Sequence, residues 1–523
     1  MRFKARQILR RAIVLAVLAT LWVGGMALYR ADHHRRHPQD PINGFLISPY
    51  LQIGDNPKLA ARESAEVLWH TFDIDDASTG EGAWSVELQT PGEPPPSWRR
   101  TSTDPVFRRV AIPGIVPHRV YRTPLRDLTP GAPFTYRVVR GEKTRFEATG
   151  HARPGPGGTS RAVIVGDFGN GSSAEARVAD RTWRMNPDYL VFTGDLVYWR
   201  GRIFEYERQF FPYLNASAAS PHVGAPLLRS FLTLAAPGNH DLMTRDLVAD
   251  PDAQAFFYYW SMPLNGPVTD ADAPGSPNVK GSLTQLEKFR EASGAAYPRM
   301  ANFSADVGDV HWTVIDLNAY VDWTDPALLA WLEADLAAAR SKPWRLVAGH
   351  HPGFQSGNAH RHEQQMRQLA PIFERNGVAI VFAGHVHNYQ RTRPLRFNPR
   401  RRPDGKFTDG LGEVEGDFQI DRSYDGLNLT VPQGVIYVVT GAGGASLHNT
   451  DRLDQEANRN DFTIKFISGR YGLTVMDVSP NELKLVQISE SGETLDAFNI
   501  RRAVVPAVAG SSTNLRRIDE TQK

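Results

Sequence analysis

The sequence contains no cysteine. Disulfides and thiolate metal sites are therefore excluded, and any metal must be held by oxygen and nitrogen donors. An excess of charge of one sign is also missing: 59 Lys+Arg stand against 57 Asp+Glu, for a net charge of +2. No basic field marks nucleic acid as a partner. There is no internal repeat. Long hydrophobic runs are scarce, and the stretch that stands out is Ala12 to Tyr29, 18 residues without a charge. That length just spans a bilayer. Arg2, Lys4, Arg6, Arg10 and Arg11 precede it, a flank that predicts a cytoplasmic N-terminus and an exported body, periplasmic or extracellular. Residues 1–30 read as an uncleaved signal-anchor that ties the chain to a membrane, or as a signal peptide cleaved near Gly25-Met26-Ala27. Both readings stand.

What the chain does contain is a recurring pattern of apolar strand, glycine and metal-competent side chain. Val378 to Phe382 runs into Gly384-His385-Val386-His387-Asn388-Tyr389. Ala162 to Val165 runs into Gly166-Asp167, and Tyr189 to Phe192 into Gly194-Asp195-Leu196-Val197-Tyr198. Phe231 to Leu234 leads to Gly238-Asn239-His240-Asp241, and Trp344 to Val347 to Gly349-His350-His351. Each apolar run reads as a buried strand. Each loop offers Asp, Asn or His, the hard and borderline donors that suit iron, manganese or zinc. In α/β sheets ligands bind beyond the carboxyl ends of the strands, so the five loops are expected to meet at one rim. The glycine is expected to let the backbone turn sharply.

This motif set resembles the calcineurin-like metallophosphoesterase superfamily. Tyr198, three residues after Asp195, and Asn388-Tyr389-Gln390-Arg391 after the paired histidines make it similar to the purple acid phosphatases. Those more often carry Glu where Gln390 stands. The resemblance implies an α/β fold: a four-layer αββα metallophosphatase domain preceded by a small all-β sandwich. It implies a binuclear centre of Fe(3+) and a divalent metal (Fe, Zn or Mn). Asp195 would bridge, with Asp167, Tyr198 and His387 on the ferric side and Asn239, His350 and His385 on the divalent side. His350 rather than His351 is the expected ligand. A hydroxide generated by the pair would attack phosphorus in line. His240 would donate to a phosphate oxygen or the leaving group. A second acid is expected roughly nine or ten residues past His350, which selects His360 over His362. The implied activity is acid phosphatase action on small phosphate monoesters. A phosphodiesterase acting on nucleotides or lipid head groups, and a non-catalytic surface binding protein, are the alternatives. The sequence is silent on the oligomeric state.

The remaining segments fall in order. Residues 31–43 form a polar linker. Residues 44–151 carry short β-branched and aromatic strands, Val67-Leu68-Trp69, Trp84 to Leu88 and Thr135 to Val139, with a turn at Asp127 to Gly131. This reads as a sandwich and is similar to the fibronectin-III-like domain of plant-type purple acid phosphatases. Arg153 to Gly158 reads as a linker, and residues 155–501 as the metallophosphoesterase domain. Helices are expected over Ala174–Met185, Pro326–Arg340 and Arg361–Arg375, and a hairpin over 303–317. Strands near Val435–Val439, Tyr471–Val475 and Leu483–Val486 are expected to complete a second sheet. Arg391 to Arg402, with six arginines, reads as a solvated loop. Residues 502–523 read as a polar tail.

Overall fold

The computed structural model describes residues 43–74, 80–90, 97–267, 273, 275–448 and 459–502. The expected N-terminal membrane or signal segment lies outside the described residues, as does all but the first residue of the polar tail. Among the described residues no helix is long and apolar enough to cross a membrane.

Two four-stranded sheets open the chain. One holds Ile47–Gln52, Glu63–Phe72, His118–Leu128 and Val106–Val110; the other holds Arg99–Arg100, Trp84–Gln89, Pro133–Arg140 and Lys143–His151. Every pairing is antiparallel. Trp69, Trp84, Val86, Tyr121 and Tyr136 fill the space between the sheets. Trp69 stacks on Tyr121 at 5.2 Å between ring centroids. Such aromatic pairs add to the area they bury. This is the all-β sandwich.

Two larger sheets follow. The six-stranded sheet runs Leu232–Ala236, Tyr189–Thr193, Ser160–Val165, Gly472–Val478, Glu482–Ser489, Thr494–Arg501. Its first three strands are parallel. The seven-stranded sheet runs Phe303–Val307, Val310–Val314, Trp344–Ala348, Ile380–Ala383, Ile436–Thr440, Tyr389–Thr392, Thr463–Ile467. Its parallel centre is Val310–Val314 through Ile436–Thr440. Parallel strands buried on both faces read as continuous apolar runs, as these do. Ile164, Val191, Trp312, Leu346 and Phe382 pack between the two sheets. Helix Ser173–Arg184 covers the outer face of the first. Helices Pro326–Ala338 and Ala370–Arg375 cover the second through Leu328, Leu332, Leu336 and Phe373. The result is helix, sheet, sheet, helix, the four-layer αββα arrangement of a mixed α/β metallophosphatase fold.

Three expectations change. The late strands do not complete one sheet: Ile436–Thr440 joins the seven-stranded sheet, and Gly472–Val478 and Glu482–Ser489 join the six-stranded one. The helix expected over Arg361–Arg375 begins as α-helix at Ala370, after a 3₁₀ turn at Gln365–Leu369. Pro371 cannot sit inside a helix, only in its first turn. The arginine-rich run is a solvated loop only in part: Arg396 and Arg400 to Arg402 are exposed, but its start is not. It forms strands Tyr389–Thr392 and Leu395–Pro399, and Arg391 is buried on Asp496 at 2.7 and 3.0 Å. Arg153, read as the start of a linker, is also buried. Its guanidinium donates to Glu63 at 2.8 and 3.0 Å and to the Asp306 carbonyl at 3.0 Å.

Candidate metal centre

The metal-competent loops leave two sheets, not one. Those carrying Asp167, Asp195 and Asn239 follow strands of the six-stranded sheet; those carrying His350 and His385 follow strands of the seven-stranded sheet. Face-to-face packing of the sheets brings the two sets together. Asp195, His350 and His385 form one group of side chains able to hold an ion, and Asp167, Asp195 and His387 form another. Asp195 belongs to both.

The details fit donors for a cation. His350 Nε2 lies 3.2 Å from Asp195 Oδ1 and 3.0 Å from Asn239 Oδ1. Its Nδ1 lies 2.8 Å from the Thr193 carbonyl oxygen, which only an N–H can satisfy. That tautomer leaves the Nε2 lone pair on the cluster. His387 repeats the device, with Nδ1 on the Ser446 carbonyl at 2.7 Å and Nε2 3.0 Å from the Tyr198 hydroxyl. The Tyr198 hydroxyl also reaches Asp167 Oδ1 at 3.4 Å. Asp167 in turn accepts from the His385 backbone N–H at 2.9 and 3.0 Å. All seven side chains named as metal ligands thus converge. His240 joins them at the rim: its N–H donates to Asp195 Oδ1 at 2.9 Å, and its ring Nδ1 sits 2.9 Å from the Trp199 carbonyl.

The electrostatics follow from packing carboxylates and imidazoles in a dry place. Burial alone would lower the His350 imidazole, but the Asp195 carboxylate overrides it and lifts it to about 10. Burial works against the Asp195 carboxylate, yet His350 holds it far below the usual range. Burial, with Asp195 and Asp167 adding to it, pushes the Tyr198 phenol well up. Nearby Asp241 is buried and raised, by burial and then by Asp195. Its carboxylate accepts from the Leu196 and Gly238 N–H groups and so ties two of the loops together.

The backbone is strained where the site is. Asp167, Asp195 and His385 have φ of +61°, +49° and +67°, a region that costs non-glycine residues on the order of 1–3 kcal/mol each. Gly194, with φ of +89°, turns the chain as expected, but Gly238 and Gly384 play a different part. At the sharp turns the ligand residues themselves take positive φ, and Gly384 does not. A Cβ on Gly384 would collide with Asp167 Oδ2, and one on Gly238 with Asp195 Oδ1. These glycines permit close approach.

His360 and His362 separate. His360 has its ring 3.9 Å from the His385 ring; His362 points to Glu413. Sequence reasoning missed Glu363. Its carboxylate lies 2.9 Å from His385 Nε2, 2.8 Å from His360 Nδ1 and 3.4 Å from His351 Nε2, and with His351 and His385 it forms a third group able to hold a cation. With Nε2 on Glu363, His385 has Nδ1 left for the Asp195 cluster. His448 was missed as well; it stacks on His387 at 3.9 Å, the rings nearly parallel at 8°. No strand–glycine signal directly precedes Glu363, whereas His448 follows strand Ile436–Thr440 and then Gly441, Gly443 and Gly444, a signal that could have found it. Gln390, where relatives more often have Glu, donates to Asn388 Oδ1 at 3.0 Å and accepts from the Ser356 N–H at 2.7 Å. A carboxylate could not make the first of these bonds.

The profile of the family Calcineurin-like phosphoesterase matches residues 160–389, the span that carries all five loops. That stretch is similar to a calcineurin-like phosphoesterase domain. Its curated relatives include Purple acid phosphatase 18 of Arabidopsis thaliana, 36% identical over 127 residues, covering 23% of this chain and 28% of the relative. "Probable inactive purple acid phosphatase 27" of the same plant is 23% identical over 419 residues, 74% of this chain and 58% of the relative. The chain thus spans little more than a quarter of the first relative's length. Among solved structures, purple acid phosphatase PPD1 from yellow lupin (Lupinus luteus) seeds superposes with a TM-score of 0.59 at 19% identity, over 88% of this chain and 75% of that one. That likeness gives the metallophosphoesterase domain and its N-terminal β domain the fold of a purple acid phosphatase.

Proposed function

We propose that the protein is a phosphoesterase of the purple acid phosphatase kind, hydrolysing small phosphate monoesters at a two-metal centre. The observation that carries this reading is the pair of overlapping ligand groups sharing Asp195. Asp195, Asp167, Tyr198 and His387 would hold one metal, proposed as Fe(3+). Asp195, Asn239, His350 and His385 would hold the other, divalent. The oxygen and nitrogen donors fit such ions, and a phenolate suits a hard trivalent one. Bound there, the pair would supply positive charge for the phosphoryl oxygens and a nucleophile at acid to neutral pH.

The chain's own groups divide the remaining work. His240 is held with Nδ1 on the Trp199 carbonyl, so that as an imidazolium it can donate from Nε2 to a phosphoryl or leaving-group oxygen. His360, fixed through Nδ1 by Glu363, can likewise donate from Nε2 when its ring is an imidazolium, as the second proton donor. Buried Asp241 and Thr193 keep the loops in place. We also assign the N-terminal segment to export of the body, with residues 44–151 and 155–501 as its two domains.

The deciding experiment is metal analysis of the purified full chain together with hydrolysis of an aryl phosphate monoester. Two metals per chain and monoester turnover are expected, with diester turnover marking the phosphodiesterase alternative. One ion or none in active protein would defeat the proposal, and two ions without turnover would favour a non-catalytic role. Asp195→Asn is expected to lose both ions, since it alone touches both groups. If Tyr198 binds ferric iron, the protein absorbs visible light and Tyr198→Phe bleaches it. A reporter fused after Lys523 should be active only outside the cytoplasm; cytoplasmic activity would overturn the export assignment.

A further inference from the structure

Beside the candidate centre lies a cleft of about 400 Å³, within the usual range for small-molecule pockets. Val321 and Trp323 form one wall, and Phe407 and Leu411 the other. Both walls are fastened to the centre. On the first, Asn318 Nδ2 donates to the Gly238 carbonyl at 3.1 Å, next to Asn239. At the mouth stands Glu363, which lines the cleft and holds His385 and His360. Gln365 crosses between the walls, its Nε2 donating to the Leu317 carbonyl at 3.0 Å. The second wall leans on the same segment, where the Gln364 N–H donates to the Gly412 carbonyl at 3.2 Å. Leu411 is 67% exposed, an apolar side chain with solvent where a ligand could sit. The charged residues lining the cleft are Asp322, Glu363 and Lys406. Two acids against one base do not favour a group carrying further phosphates.

We infer that this cleft receives the alcohol portion of the phosphoester and selects monoesters of neutral aromatic alcohols. The inference rests on the phosphoesterase reading for the position of the phosphoryl group. The lining gives the rest: the rings of Trp323 and Phe407 and the aliphatic side chains of Val321 and Leu411 border a space beside Glu363, which holds His385 and His360.

The test is calorimetric binding of naphthylmethylphosphonate and methylphosphonate to the full metal-loaded chain, alongside hydrolysis of naphthyl phosphate. The naphthyl compound is expected to bind about tenfold more tightly or better, the size of effect that filling an apolar pocket gives. Leu411→Glu, on the surface, should lower the ratio of the two affinities, and Thr408→Trp, which fills the cleft, should abolish the preference. Equal affinities in the unaltered protein, a ratio untouched by both substitutions, or tighter binding of a nucleoside triphosphate would overturn the inference. Absent hydrolysis with the naphthyl preference intact would defeat the phosphatase reading and leave the cleft assignment standing.

Discussion

At the scale of single residues, the centre is a set of mismatches that a cation would resolve. His350 holds a proton because Asp195 is beside it, and Tyr198 holds one because burial and two carboxylates oppose its loss. A metal ligand must give up that proton. Adding a divalent ion to metal-free protein in weak buffer is therefore expected to release roughly two protons per pair of sites, read by a pH indicator. Uptake without release would show that these residues are not the ligands. Glu363 should matter through His385. Glu363→Gln keeps the shape but loses the charge, and a drop of about 10–100-fold in affinity for one of the two ions is expected. His360→Ala is expected to slow turnover by about 10²–10⁴-fold at equal metal occupancy, while His362→Ala, whose ring rests on Glu413, should not. The reverse result would exchange the roles of the two histidines.

At the scale of elements, the sandwich is fastened to the larger domain by a buried ion pair. Arg153 and Glu63 are 1% and 0% exposed at their side chains, and the Asp306 carbonyl from the seven-stranded sheet takes a further guanidinium bond. Breaking such a pair leaves one buried charge, at a cost of about 3–5 kcal/mol. Glu63→Ala is expected to lose that much in urea unfolding, whereas Glu63→Leu combined with Arg153→Met should recover part of it. Equal loss in both variants would place the cost in packing rather than charge. On the strand paired with that of Asp306, His311 lies between Asp306 at 2.8 Å and Asp335 of the covering helix at 3.1 Å. Burial would lower its imidazole, but the two carboxylates raise it.

At the scale of the whole molecule, the interface between the sandwich and the metallophosphoesterase domain contains two buried neutral histidines. His70 Nε2 lies 2.9 Å from the Tyr50 hydroxyl, and His118 Nε2 3.0 Å from the Tyr259 hydroxyl. Burial lowers His118 to about 4, against support from Asp73, and lowers His70 well below its usual value, helped by His118. As pH falls below about 6.5 the unfolded chain takes up protons at these positions and the folded chain does not. Stability should therefore decline from about pH 6.5 down to about pH 4, by up to about 3 kcal/mol for His118. His118→Gln should flatten the decline in thermal unfolding. His311 has the opposite sign: its contribution is full below the unfolded imidazole range and fades as pH rises through its raised folded value.

Much of this was legible in the chain itself. Apolar runs ending in glycine and Asp, Asn or His marked the strands and their ligand loops, because strand burial and donor chemistry are local properties of residue type. The absence of cysteine restricted the donors to oxygen and nitrogen. What the sequence could not carry was anything depending on which strands become neighbours. The ligand loops leave two different sheets, and the late strands divide between those sheets, because pairing is set by packing across long separations. Glu363 lies in a segment without a strand signal, and His448 follows a strand and glycines with no nearer Asp, Asn or His to mark a ligand loop; tertiary structure brings them against His385 and His387. Gly238 and Gly384 show the division most simply. Their sequence positions advertise a turn, but the fold needs them because the carboxylates of Asp195 and Asp167, distant in the chain, occupy the space a side chain would take.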